Sequence, residues 1–169
     1  LNTVYAIGED PSYTISCALY LAAGAGELRL TSADPSVQPR MDYRYLENPW
    51  DRQRLRECVR LCARLLEDPA YREIIEQRVS PTDADLASDE ALDRWMLQSV
   101  ATSYHISGTC KMGLTADPMA VVDQFCRVHG MSRLRVADAS IMPDVVRANT
   151  NVTTMMIAER CADFVKEGR

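Results

Sequence analysis

The stretch Tyr104-His-Ile-Ser-Gly-Thr-Cys-Lys-Met-Gly113 constrains the fold of this chain more than any other. An aromatic, then one of only two histidines, then Ser-Gly-Thr, places an imidazole where the backbone bends sharply and a side chain can project into a cleft. A helix leads up to it: Ser88-Asp-Glu caps a segment running through Val100, with Leu92, Trp95, Met96 and Val100 on one apolar face. Beyond it, Ala120-Val-Val-Asp and Cys126-Arg-Val-His-Gly read as short strand pieces. Leu134-Arg-Val-Ala reads as a buried strand ending at Asp138. Pro143 to Asn149 is a loop. The last helix is expected over Val152 to Lys166, with Asn151 as its cap and Met155, Met156, Ala158, Cys161, Ala162 and Val165 as most of its buried face. Asn149 is the other candidate cap.

The first half has the alternation of a sheet followed by helices. Residues 1–12 show no clear period and serve as a lead-in. Tyr13 to Leu21 is β-rich, Ala22 to Gly26 is a turn and Glu27 to Thr31 alternates, so the two runs are expected to form an antiparallel hairpin. Arg40 to Tyr45 adds a third strand after a proline-bounded loop. Asn48-Pro49-Trp50-Asp51 starts a helix, with Asn as cap, Pro at the first helical position and an acid in the first turn. Leu55, Cys58, Val59, Cys62, Leu65 and Leu66 then recur at helical spacing until Asp68-Pro69. A short helix over Tyr71 to Val79 and a loop over Ser80 to Asp85 follow.

Composition excludes several functions. With a net charge of −5 and arginines interleaved with acids, the chain lacks the basic stripe that nucleic acid or an anionic membrane requires. No apolar run approaches the roughly 20 residues that span a bilayer. The six cysteines have no Cys-x-x-Cys spacing and read as buried thiols in a reducing compartment, which points to the cytoplasm. Cys58 and Cys62 share a helical face, which is what a core stripe of small apolar residues looks like, and no histidine or third cysteine completes a metal site, so no metal is expected. The same ligand count excludes a zinc hydrolase.

The motifs His-x-x-Gly-Thr-Cys-x-Met-Gly, Val-Val-Asp, Arg-Val-His-Gly, Leu-Arg-Val-Ala-Asp-Ala-Ser-x-Met-Pro and Asn-x-x-Thr-x-Met-Ile-Ala-Glu-Arg, in this order, resemble the C-terminal part of the glucose-methanol-choline family of flavin oxidoreductases. The resemblance runs from about Gly24 to the end of the chain. It implies an α+β fold: residues 1–113 as a substrate-binding portion, an antiparallel sheet with helices on one face, and residues 114–169 returning to the flavin domain to add a strand and a closing helix. Members of the family hold the FAD pyrophosphate on a Gly-x-Gly-x-x-Gly turn. The 7 glycines here contain no such spacing. The chain therefore resembles part of an enzyme, needing an N-terminal flavin-binding portion, in the same polypeptide or as a companion chain, before it can retain FAD.

The resemblance also implies roles. His105 would be the base that removes the hydroxyl proton of an alcohol substrate while hydride passes to flavin N5, and an imidazole can take a proton near neutral pH. The bland alternative is a histidine that only anchors its turn. Asn151 would donate a hydrogen bond to the substrate oxygen, in competition with its cap role. Val152 and Thr153, at a helix start, would offer amides to the negative charge of reduced flavin. Asp138 and Ala139 would contact the ribityl and phosphate part of FAD, with an ordinary turn aspartate as the alternative, and Tyr104 would also touch the cofactor. His129 is assigned to structure, and Lys111 and Arg147 to the surface. The competing function is a non-catalytic binding domain that keeps the fold and docks a partner chain.

Overall fold

A computed structural model describes the backbone of residues 2–4 and all of residues 14–169. The chain divides into two compact units, Leu1–Ser103 and Tyr104–Arg169. The α+β expectation holds in its coarse form: helices accompany small antiparallel sheets.

The first unit carries a three-stranded sheet in the order β2-β1-β5, with β1 (Asn2–Val4) between β2 (Cys17–Leu19) and β5 (Val100–Thr102), both antiparallel to it. The expected hairpin does not form. β2 pairs with β1, and β3 (Glu27–Arg29) pairs with β4 (Arg40–Asp42) in a separate two-stranded sheet. Most of the sequence lead-in, residue 1 and residues 5–12, lies outside the described residues, but within it Asn2–Val4 is the central strand.

The reason the hairpin fails is Asp51. This carboxylate, 3% exposed, accepts hydrogen bonds from Ala23 N (2.9 Å) and Gly24 N (2.7 Å). Arg54 donates to the carbonyls of Tyr20 (2.8 Å) and Leu21 (3.0 Å) and lies 3.4 Å from Asp51. The turn after β2 is thus bound to a helix instead of leading back along β2. Gly26 is needed where the next strand begins, because a Cβ there would meet the Asp42 carbonyl oxygen at 2.3 Å.

That helix, α1 (Pro49–Leu66), starts as its sequence requires: Asn48 accepts from Trp50 N (2.9 Å) and Asp51 N (3.4 Å), and Pro49 needs no donor. Leu55, Val59 and Ala63 form its buried stripe, while Leu65, expected in that stripe, is exposed on the flank. α3 (Asp89–Ser99), capped by Ser88 accepting from Ala91 N, packs Leu92 and Met96 fully buried against the same core. Arg56 and Arg60 pair with Asp89 and Asp93 between the two helices.

Between α1 and α3 the expected helix over Tyr71 to Val79 is a single 3-10 turn, Pro69–Tyr71, and Ile74 and Val79 are exposed. Those residues find no surface to bury against, and propensity alone does not hold so short a helix. Conversely, the expected loop contains α2 (Asp83–Leu86), held by reciprocal bonds between Thr82 and Asp85.

A feature of this core joins residues far apart in sequence. Cys17 on β2 lies 3.3 Å, sulfur to sulfur, from Cys62 on α1, and Cys58 completes a trio. The third cysteine that sequence spacing did not supply comes from 45 residues away. The hydrogen bond with Cys17, and to a lesser extent that with Cys62, holds the Cys58 thiol down at about 6 against the opposing effect of burial, while the hydrogen bond with Cys58, followed by burial and Cys62, pushes Cys17 up. All six cysteines are free thiols.

The second unit has one long helix, α4 (Asn151–Lys166), and no strand beyond isolated bridges among its described residues. The expected strand pieces meet as single bridges, Met112 with Val122, Val122 with Val128 and Arg127 with Arg135, and Leu134 is exposed rather than buried. Val122, Cys126, Ile141, Met142, Ile157 and Cys161 form the core. On α4 only Ile157 and Cys161 are buried. Met155, Met156 and Val165, expected on the buried face, lie exposed because the unit places no element over them. No helix among the described residues is long and apolar enough to cross a membrane.

Candidate active site

The His105 segment is fixed by backbone. Gly108 N, Cys110 N and Met112 N donate to the carbonyls of Ala139 (3.3 Å), Ser140 (2.9 Å) and Ile141 (2.8 Å), so the histidine turn runs alongside the segment after Asp138. Gly108 has φ +86°, a conformation that favours glycine. Further on, Val121 N donates to Lys111 O (2.9 Å) and Gly113 N to Val122 O (3.0 Å). Three motifs separated in sequence thereby become one hydrogen-bonded frame.

His105 is half-buried, and its Nδ1 lies 3.0 Å from the hydroxyl of Thr150. Thr150, 6% exposed, is the residue immediately before α4. This places the imidazole against the start of the last helix, and sequence reasoning missed the residue responsible. The available signal was a hydroxyl between two asparagines at a helix start, which reads as a cap.

The helix start itself differs from expectation. Asn151 is the first residue of α4, not its cap, and is exposed; Thr150 occupies the cap position, yet its side chain makes no cap hydrogen bond. The physical reason is that the Thr150 hydroxyl is turned to His105. Thr154 N and its hydroxyl both bond to Thr150 O, at 2.9 and 2.8 Å, which fixes the first turn without closing off the amides of Val152 and Thr153. Val152 is exposed and Thr153 half-buried.

The remaining site residues fall on the same frame. Asp138 is exposed and accepts from Ser140 N (2.8 Å) as cap of the 3-10 turn Ala139–Ile141, so its structural role is the turn aspartate foreseen as the alternative. Tyr104, next to His105, has φ +64° and is 85% exposed. His129 is anchored: Nε2 donates to the Gly113 carbonyl (3.1 Å), which leaves Nδ1 to accept from the Thr115 hydroxyl (3.4 Å). Lys111 pairs with Asp117 at 2.9 Å. A cavity of about 400 Å³ in this unit is lined by Asp123 and residues 127–135 and does not include His105.

The histidine turn, the segment after Asp138 and the start of α4 thus meet in one frame, with His105 Nδ1 3.0 Å from the Thr150 hydroxyl. The chain belongs to the GMC oxidoreductase family, whose profile matches residues 22–158, and it corresponds to the C-terminal portion. It is 41% identical over 140 residues to the oxygen-dependent choline dehydrogenase of Photobacterium profundum, covering 83% of this chain and 24% of that protein. Among solved structures it superposes on the formate oxidase of Aspergillus oryzae RIB40 with a TM-score of 0.77 at 29% identity, covering 88% of this chain and 26% of the other. An FAD-dependent oxidoreductase from Chaetomium thermophilum gives a TM-score of 0.75 at 28% identity, covering 85% and 24%. The chain thus spans about a quarter of the length of the curated relatives it matches. FAD is the cofactor of this family.

Proposed function

We propose that this chain is the C-terminal catalytic portion of an FAD-dependent enzyme that oxidises an alcohol, with His105 as the base. The observation that carries this is the 3.0 Å contact between His105 Nδ1 and Thr150 at the start of α4. With Nδ1 held by the threonine hydroxyl, Nε2 is the atom that takes the substrate's hydroxyl proton, and the imidazole cannot swing away as it becomes charged. Asn151, adjacent to Thr150 and relieved of capping, is available to donate to the substrate oxygen.

The donor set suits FAD. Val152 and Thr153 offer amides at the positive end of a helix whose N-cap residue makes no side-chain cap bond, an appropriate partner for the anionic edge of a reduced flavin. Asp138, Ala139 and Tyr104 would hold its ribityl side. FAD, when bound, supplies the hydride acceptor. Residues 114–169 are the segment that completes the flavin domain, and the exposed Met155, Met156 and Val165 belong to the face that the flavin-binding portion covers. Residues 1–113 then form the substrate-binding portion, working in the reducing cytoplasm that six free thiols suit.

Without a glycine-rich turn, this chain alone should lose FAD on desalting, and joining it to its flavin-binding portion should restore retention. In that complete enzyme, His105→Ala should slow flavin reduction by roughly 10²- to 10⁴-fold while FAD content stays at the parental level. Anaerobic stopped-flow reduction is the measurement, with choline, the alcohol named for the relatives, tried first. Parental reduction rates in His105→Ala would remove the base assignment.

A further inference from the structure

We infer that Cys17, Cys58 and Cys62 form a three-thiolate binding site for a thiophilic d¹⁰ metal ion, zinc(II) in the first place. Their ligand atoms all lie within 4.8 Å of one another, and the Cys17 and Cys62 sulfurs are 3.3 Å apart. Three zinc–sulfur bonds of about 2.3 Å at tetrahedral angles set sulfurs roughly 3.8 Å apart, a spacing these side chains reach without a change of backbone.

The scaffold is suitably rigid. Cys58 and Cys62 sit one turn apart on α1, whose start is capped by Asn48 and whose buried stripe is Leu55, Val59 and Ala63. Cys17 sits on β2, whose exit is tied to the same helix by Asp51 and Arg54. Two ligands therefore move together and the third is held to them by an independent set of bonds.

Burial sets the coordination number and the ion. Cys17 is 5% exposed within an apolar core, whereas Cys58 and Cys62 are only half-buried, which leaves an entry path and room for water as a fourth ligand. Each ligating thiol releases its proton to solvent. Three thiolates around zinc(II) carry a net charge of −1, against −2 around copper(I), and apolar surroundings favour the smaller charge.

The test uses the full chain, reduced and freed of metal. Cadmium(II) is titrated in and its thiolate-to-metal charge-transfer absorption read, after which zinc(II) is added to displace it. One equivalent should saturate the band and zinc should bleach it. Cys58→Ser and Cys62→Ser, at half-buried positions that spare the core, should each weaken binding by more than about tenfold with an unchanged circular-dichroism spectrum, and Cys126→Ser should bind like the parent. Absence of a stoichiometric band, or a band indifferent to both helix substitutions, would each overturn the assignment.

Discussion

The units Leu1–Ser103 and Tyr104–Arg169 hold their functional elements in place by different means. In the first, side chains do it: Leu55, Leu92 and Met96 are fully buried between helices whose ends carry Asn48 and Ser88 caps and whose flanks carry arginine–aspartate pairs. In the second, the backbone does it. The histidine turn is fixed by amides donating to residues 139–141, and the one helix begins without a side-chain cap. The difference teaches that a helix start can do without a side-chain cap hydrogen bond from its N-cap residue when a neighbouring backbone frame holds it.

The contrast is most open to attack in the helical core. Leu92→Ala removes a fully buried side chain and should cost about 2–5 kcal/mol, with the loss of amide protection in hydrogen exchange confined to the first unit. Equal loss at Cys110 and Met112 amides would mean that the units do not fold by separate means. Next, Thr150→Val removes the partner of His105 and should cost about 1 kcal/mol in the barrier to flavin reduction, roughly fivefold in rate, whereas Thr150→Ser should restore it. An unchanged rate would confine Thr150 to structure.

The two helix starts provide a sharper pair. Asn48→Ala should destabilise the first unit by about 1 kcal/mol, since it strips the hydrogen bonds to Trp50 N and Asp51 N. Asn151→Ala should cost no more than about 0.5 kcal/mol, as a surface change away from any cap. Thermal unfolding of the two variants decides it, and equal losses would restore Asn151 as a cap.

The smallest effect is electrostatic. Burial pushes the Asp123 carboxyl up, but the hydrogen bond from the Arg127 side chain, then the Arg127 and Phe125 amides, hold it below the usual carboxylate range. A depressed folded value means the stabilisation is complete above the unfolded carboxylate value, near about 3.9, and is lost as pH falls through the folded one. Asp123→Asn should therefore lower stability at neutral pH and flatten the acid limb of the stability profile. An acid limb as steep as the parent's would show that this carboxylate does not couple folding to pH.

What the sequence made legible was local. The Asn48-Pro49 start, the Leu55–Val59 stripe and the Ser88 cap each depend on residues within a few positions of one another. Pairing was not legible: β1 finds β2 and β5 across long stretches of chain, and the deciding residue, Asp51, looks like an ordinary first-turn acid until its partners at Ala23 and Gly24 are seen. The site divides in the same way. His105 announced itself by its turn, whereas Thr150 carries no period and gains its meaning from a side chain 45 positions away. The cysteine trio was invisible for the same reason, since only its helical half is periodic.

Asp51 has a further consequence for how this chain can vary. By tying Ala23 and Gly24 to the first turn of α1, it brings the beginning and end of the β3–β4 excursion to one point, where a Cβ on Gly24 would lie 3.2 Å from that of Asn48. A segment that departs and returns through a single clamp can be lengthened at modest entropic cost, about 0.6 kcal/mol for each doubling of a flexible loop. Insertions between Thr31 and Gln38 should therefore leave the helical core intact, so this arm is where related chains can differ in length without rebuilding the scaffold.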